Sequence, residues 1–127
     1  MATEVDPEED IARAICSDHY DGERYSSSLF KGQNTSVSSL AIVPLEDSWD
    51  LFRRKVEKPP DRTFEQIGTI NVGSLKEIGI NHLTNTELSV QPDPQPNYDS
   101  HAIIPQKISK GLANKIIDEL VKHDPMS

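Results

Sequence analysis

Three side chains stand out for the chemistry they could do together: His19 and Asp21 in the tripeptide His19-Tyr20-Asp21, and His101 far downstream. Two imidazoles and one carboxylate on one face, with positions left open, are the ligand set of a non-haem iron site. On a strand, residues i and i+2 share a face, so His19 and Asp21 could reach one ion. Without a metal, the same histidines suit acid–base chemistry, with Lys31 or Arg24 steadying a phosphate. Cleavage of an RNA phosphodiester runs on such a set, because the 2′-hydroxyl is the nucleophile and the protein need only move protons. The turn Lys31-Gly32-Gln33-Asn34-Thr35-Ser36 adds backbone amides and hydroxyls that can cradle an anion. Neither the Walker pattern nor G-x-G-x-x-G occurs.

The spacing of His19, Asp21 and His101 resembles the H-x-D…H pattern of the Fe(II)-dependent oxygenases. The resemblance implies an iron held by these three residues inside a β-sandwich-like barrel of many strands. Length and helical periodicity point instead to a smaller, more helical fold. Nucleophilic catalysis has little footing. Cys16 falls on an apolar face and reads as a small core residue, no G-x-S-x-G elbow occurs, and the serines at 26–28, 36, 38 and 39 read as turn and strand-edge residues that satisfy backbone.

The totals narrow the class. A chain of 127 residues is one domain's worth and can bury about two thirds of its unfolded surface without metal or disulfide staples. The net charge of -8 argues against a nucleic-acid binder, which neutralises phosphates with clustered Lys and Arg. It argues equally against an anionic membrane surface. Only Arg53, Arg54, Lys55, Lys58 and Arg62 form a basic run, which reads as the solvated end of a helix. No apolar run is long enough to span a bilayer, and one cysteine excludes an internal disulfide, so the expected location is the cytoplasm.

The elements that must position these residues follow from pattern. Asp6-Pro7-Glu8-Glu9 reads as a helix start, and Ile11, Ala12, Ile15 and Cys16 share a helical face, which predicts a helix over 7–18 with His19 at its end. A short apolar run from Ser36 to Val43 predicts a buried strand. Leu45, Trp49, Phe52 and Val56 predict a helix over 45–56, with Asp50 and Arg54 paired at i,i+4. Phe64 to Val72 predicts a second strand, so that strand–helix–strand would allow a parallel βαβ unit. One helical turn at 75–78, short strands at 29–30, 87–91 and 102–104, and a helix over 109–123 capped by Ser109 complete the chain. Residues 1–5 read as frayed, and the prolines of 92–100 as a stiff extended loop. The fold expected is a single α+β domain, three helices packed on a mixed sheet of four or five short strands.

The function expected is that of a small acidic accessory or regulatory module that binds another macromolecule, with a protein as partner. Trp49, Phe52, Tyr20 or Tyr25 would serve for docking if exposed, and the apolar stripe of the last helix would serve as a homodimer face. The alternative is a small enzyme using His19, Asp21 and His101 with Lys31 or Arg24. The residues name no cofactor.

Overall fold

The computed structural model describes residues 4–20, 23–57, 61–83 and 85–125. Its centre is a strand, β1 (Asp10–Cys16), in the segment whose periodicity predicted a helix. Ile11 and Ile15 pack into one apolar cluster, and Ala12 and Ala14 into another on the opposite face. A strand buried on both sides carries a nearly continuous apolar run, which spacing alone does not separate from a buried helix. The capping signal ahead of it is genuine but closes one turn only: Glu9 N–H donates to Asp6 O at 3.0 Å, and Asp6 N–H donates to Glu9 Oε2 at 3.3 Å.

The other elements are β2 (Thr35–Ser39), α1 (Leu45–Val56), β3 (Phe64–Asn71), α2 (Val72–Asn81), β4 (Gln91–Pro92), β5 (His101–Ile104), α3 (Lys110–Glu119) and β6 (Val121–His123), with one 3-10 turn at Ser27–Leu29. The α+β expectation holds, with six strands rather than four or five, in the order β4-β5-β2-β1-β3-β6. Every ladder between these strands is antiparallel, so the sheet is not mixed. The parallel pair is absent for a specific reason. β2 and β3 do run the same way, but β1 lies between them and pairs antiparallel with both.

Helices cover both faces. α1 lays Leu51 and Phe52 on Ala12, Ala14, Phe64 and Ile67, with Phe64 5.9 Å from Phe52 in an edge-on contact. Asp50 pairs with Arg53 at 3.7 Å, not with Arg54. On the other face α2 and α3 close the larger cluster around Ile11, Ile15, Val37, Ile70 and Ile104. α2 is a full helix where a single turn was expected. Asn71 at the end of β3 caps it, accepting from Ser74 N–H at 3.2 Å. A Cβ on Gly79 would run into the Thr86 carbonyl and Leu88, so glycine lets the segment after the helix fold back across it.

Ser109 caps α3 as expected, accepting from Leu112 N–H at 3.2 Å. The helix stops at Glu119 rather than continuing to 123, because the chain then adds to the edge of β3 as β6. Of the expected stripe, Leu112, Ala113, Ile116, Ile117 and Leu120 are buried in this chain's own core, and Val121, now on β6, is exposed. Leu29 and Phe30 are fully buried beside the 3-10 turn rather than in a strand. Within the stretch expected to fray, Val5 is buried and its N–H donates to Val90 O at 2.7 Å. Residues 92–100 do not form an extended loop. They fold back as a β4–β5 hairpin whose turn is closed by Gln95 and Tyr98, with Asn97 in the left-handed region at φ 60°. Gly22, Lys58, Pro59 and Pro60 lie outside the described residues. Among those described, no helix is long and apolar enough to cross a membrane.

Candidate functional site

The two histidines expected to share a site stand in different surroundings. His19 follows β1 and is buried at 4% exposure. Its Nδ1 accepts the Cys16 N–H at 3.2 Å, and its Nε2 faces Arg62 Nη2 at 3.2 Å. Neutral imidazole has one accepting and one donating nitrogen, and guanidinium only donates. N–H donors therefore meet both ring nitrogens, and the carboxylate oxygen Asp18 Oδ2 is 4.0 Å from Nε2. Burial, reinforced by Arg13 and Arg62 against the opposing charge of Asp18, pushes His19 down to about 4. His19 is neutral at pH 7. Asp21, its expected partner, lies outside the described residues. Lys31 is exposed on the turn after Phe30.

Among the described residues, one group has metal-ligating atoms close together: Cys16, Asp18 and His19, all within 4.8 Å. The donor set does not suit a cation as arranged. Arg62 already supplies the positive charge there, its Nε on Asp18 Oδ1 at 3.1 Å and its Nη2 on His19. Burial pushes the Cys16 thiol up, away from the thiolate that a metal or an electrophile requires. The sheet is also open, with β4 and β6 at its edges, so the barrel implied by the oxygenase resemblance is not formed.

His101 opens β5 at 6% exposure. Its Nδ1 lies 2.9 Å from the Asp93 carbonyl and 3.1 Å from Asp93 Oδ2, and its Nε2 lies 3.2 Å from Ser36 Oγ. Carbonyl and carboxylate oxygens only accept. The Nδ1 side therefore requires a proton, and in the neutral ring this leaves Nε2 with the lone pair and Ser36 Oγ–H as its donor. The sheet order explains the row: β4, β5 and β2 are consecutive strands. Asp93, one residue beyond β4, donates its N–H to His101 O at 2.8 Å, and Ser36 sits diagonally across the β5–β2 ladder, in which Ser38 is opposite His101.

Ser36 and His101 line a cavity of about 230 Å³ on the α1 side of the sheet. Ala12, Ala14, Phe52 and Val56 contribute its apolar wall, and Arg13, Lys55 and Tyr98 its polar groups. The β1–β2 ladder stops at Ala12 and Ser38. Arg13 bridges the gap beyond it, Nη1 donating to Ser36 O at 3.1 Å and Nε to Leu29 O at 2.9 Å. Burial pushes the Tyr98 phenol up to about 12 against the pull of Arg13, so it is a neutral donor at pH 7. Its ring stands edge-on to the His101 imidazole with centroids 4.9 Å apart. Of this set the sequence pointed to His101, and to Ser36 only as the end of an anion-cradling turn or as a backbone-satisfying serine. No local spacing signals Asp93 or Arg13.

A third feature lies elsewhere. Between α2 and α3 runs a groove of about 660 Å³ whose walls include Ile78, Leu83, Glu77, Asp118, Glu119 and Lys115. Leu83 is 99% exposed at its mouth, and nearby Ile80 is 52% exposed. The aromatic residues expected to dock a partner are engaged internally. Phe52 is buried, Trp49 packs 5.7 Å from Phe64, and Tyr20 stacks on Tyr25 at 4.4 Å. The basic run is likewise dispersed, Arg62 onto Asp18, Arg53 onto Asp50 and Lys55 to the His101 cavity.

No protein family, no characterised protein and no solved structure matches this chain.

Proposed function

We propose that this chain is an accessory module that binds another protein, and that the groove between α2 and α3 receives a basic amphipathic helical segment of that partner. The observation that carries the reading is the groove, with a wholly exposed leucine at its mouth. A single exposed apolar residue is ordinary, but Leu83 adjoins a concavity that also offers Ile78. The charge of the walls selects the partner: three carboxylates, Glu77, Asp118 and Glu119, stand against one Lys115, on a chain of net charge -8. Such a groove matches a helix with apolar anchors on one face and Lys or Arg on its flanks.

The test is fluorescence anisotropy with a labelled Leu/Lys amphipathic helical peptide. Leu83→Asp is expected to weaken binding at least tenfold, because an apolar anchor becomes a buried charge; ~1.4 kcal/mol suffices for that factor. Raising the salt should weaken the wild-type complex as well. Affinity unchanged by Leu83→Asp, or no binding at all, would remove the proposal.

A further inference from the structure

We infer that Ser36, His101 and Asp93 form a nucleophile, base and positioning carboxylate that hydrolyse small carboxylic esters in the cavity on the α1 side of the sheet. The site shares no lining residue with the α2–α3 groove, so the inference stands apart from the docking proposal. Four observations converge on it. The oxygen acceptors at His101 Nδ1 require a proton there, so that in the neutral ring Nε2 is free to accept, which is the form a general base for a hydroxyl must take. The carboxylate at 3.1 Å from Nδ1 would stabilise the imidazolium formed when Nε2 takes a proton. The base is buried while the hydroxyl it serves is exposed, so a substrate can reach Ser36 without displacing His101. Positive charge lines the same cavity, with Arg13 held to the Ser36 backbone carbonyl and Lys55 on the cavity wall.

The steps balance with water as the only co-reactant. Ser36 Oγ adds to the ester carbonyl carbon as its proton passes to His101 Nε2, and the carbonyl π pair moves onto oxygen. Arg13 and Lys55 are the cations available to that oxyanion. The intermediate collapses, the bond to the leaving oxygen breaks, and that oxygen takes the proton from His101 and departs as the alcohol. Water then adds to the acyl-serine, its proton going to His101 and on to Ser36 Oγ, and the acid leaves. The apolar wall of Ala12, Ala14, Phe52 and Val56 suits the acyl chain, and about 230 Å³ limits it to a small one.

Ser36 and His101 are the catalytic residues, and Asp93, which acts through His101, is a positioning residue. The full chain is incubated with a fluorophosphonate, in which Ser36 Oγ would displace fluoride from phosphorus, and the adduct is mapped by peptide mass spectrometry. Hydrolysis of 4-nitrophenyl acetate is followed in parallel. One adduct at Ser36 is expected, absent in Ser36→Ala, a change at an exposed side chain that should not disturb folding. His101→Gln, with a native circular dichroism spectrum, is expected to lose the rise of labelling rate with pH. Asp93→Asn is expected to lower kcat by at least tenfold with KM and melting temperature near wild type, a split that a merely structural carboxylate would not give. No adduct, an adduct at another residue, or ester hydrolysis by Ser36→Ala at the wild-type rate would each overturn the inference.

Discussion

The corners around His19 and His101 make a controlled comparison within one molecule. Both imidazoles are almost fully buried, yet their neighbours are of opposite kinds. His19 is approached at both nitrogens by N–H donors. His101 has oxygen acceptors at one nitrogen and a hydroxyl at the other. The first arrangement favours neutral imidazole and leaves its one ring N–H facing another donor. The second assigns each nitrogen a direction and aims the basic one at an exposed oxygen. Whether a buried histidine is arranged to pass a proton therefore depends on its partners' hydrogen-bonding roles, and burial alone does not decide it.

The contrast can be broken most severely with acid. With His19 at about 4 in the folded chain and near 6.5 unfolded, the unfolded state binds more protons between those values. The stability associated with neutral His19 is complete above pH 6.5 and is lost as pH falls towards 4, a change of up to about 3 kcal/mol. Urea unfolding at pH 7, 5.5 and 4 should show this limb, and His19→Gln should flatten it. An equally steep limb in the variant would place the acid sensitivity elsewhere.

A smaller effect is expected at the other corner. His101→Phe keeps an aromatic ring but abandons the acceptors of Asp93, costing about 1–2 kcal/mol at pH 7. The acid limb set by His19 should survive this change, so a thermal melt series in which the limb vanishes would mean that the corners are coupled. The smallest effect belongs to Arg62→Met. Arg62 and Asp18 are 31% and 55% exposed, so their pair should contribute under about 1 kcal/mol, and less in high salt. The same change removes a cation that holds His19 down, so the imidazole resonances should titrate at higher pH. An unmoved titration would show that burial and Arg13 set the value without Arg62.

What the sequence disclosed depended on whether the signal was one-sided. α1 and α3 each bury one stripe, and 3.6-residue spacing located both, with Ser109 marking the start of the second. β3 and β5 were visible as apolar runs between turns. β1 was misread because it is buried on both faces. α2 was shortened to one turn because glycines flank residues 75–78, whereas close packing is what Gly79 permits. The hairpin at 92–100 was hidden by its prolines, which fit because Pro92 sits on the edge strand β4, where a missing N–H is tolerated. The site is less legible still. Ser36, Asp93 and His101 come from three segments, and only the strand order makes them neighbours, so no window of sequence contains the pattern.

The place of β1 also has a consequence in time. The first strand of the chain is the fourth across the sheet, and its longest ladder joins Asp10 to Asn71 and Cys16 to Phe64. As the polypeptide is made, a strand with two apolar faces must wait for about fifty more residues before its second neighbour exists, with the entropy of closing that loop still to be met. Until then it offers an unpaired, sticky edge to any other nascent chain. The molecule's most deeply satisfied segment when folded is thus its most vulnerable one during synthesis.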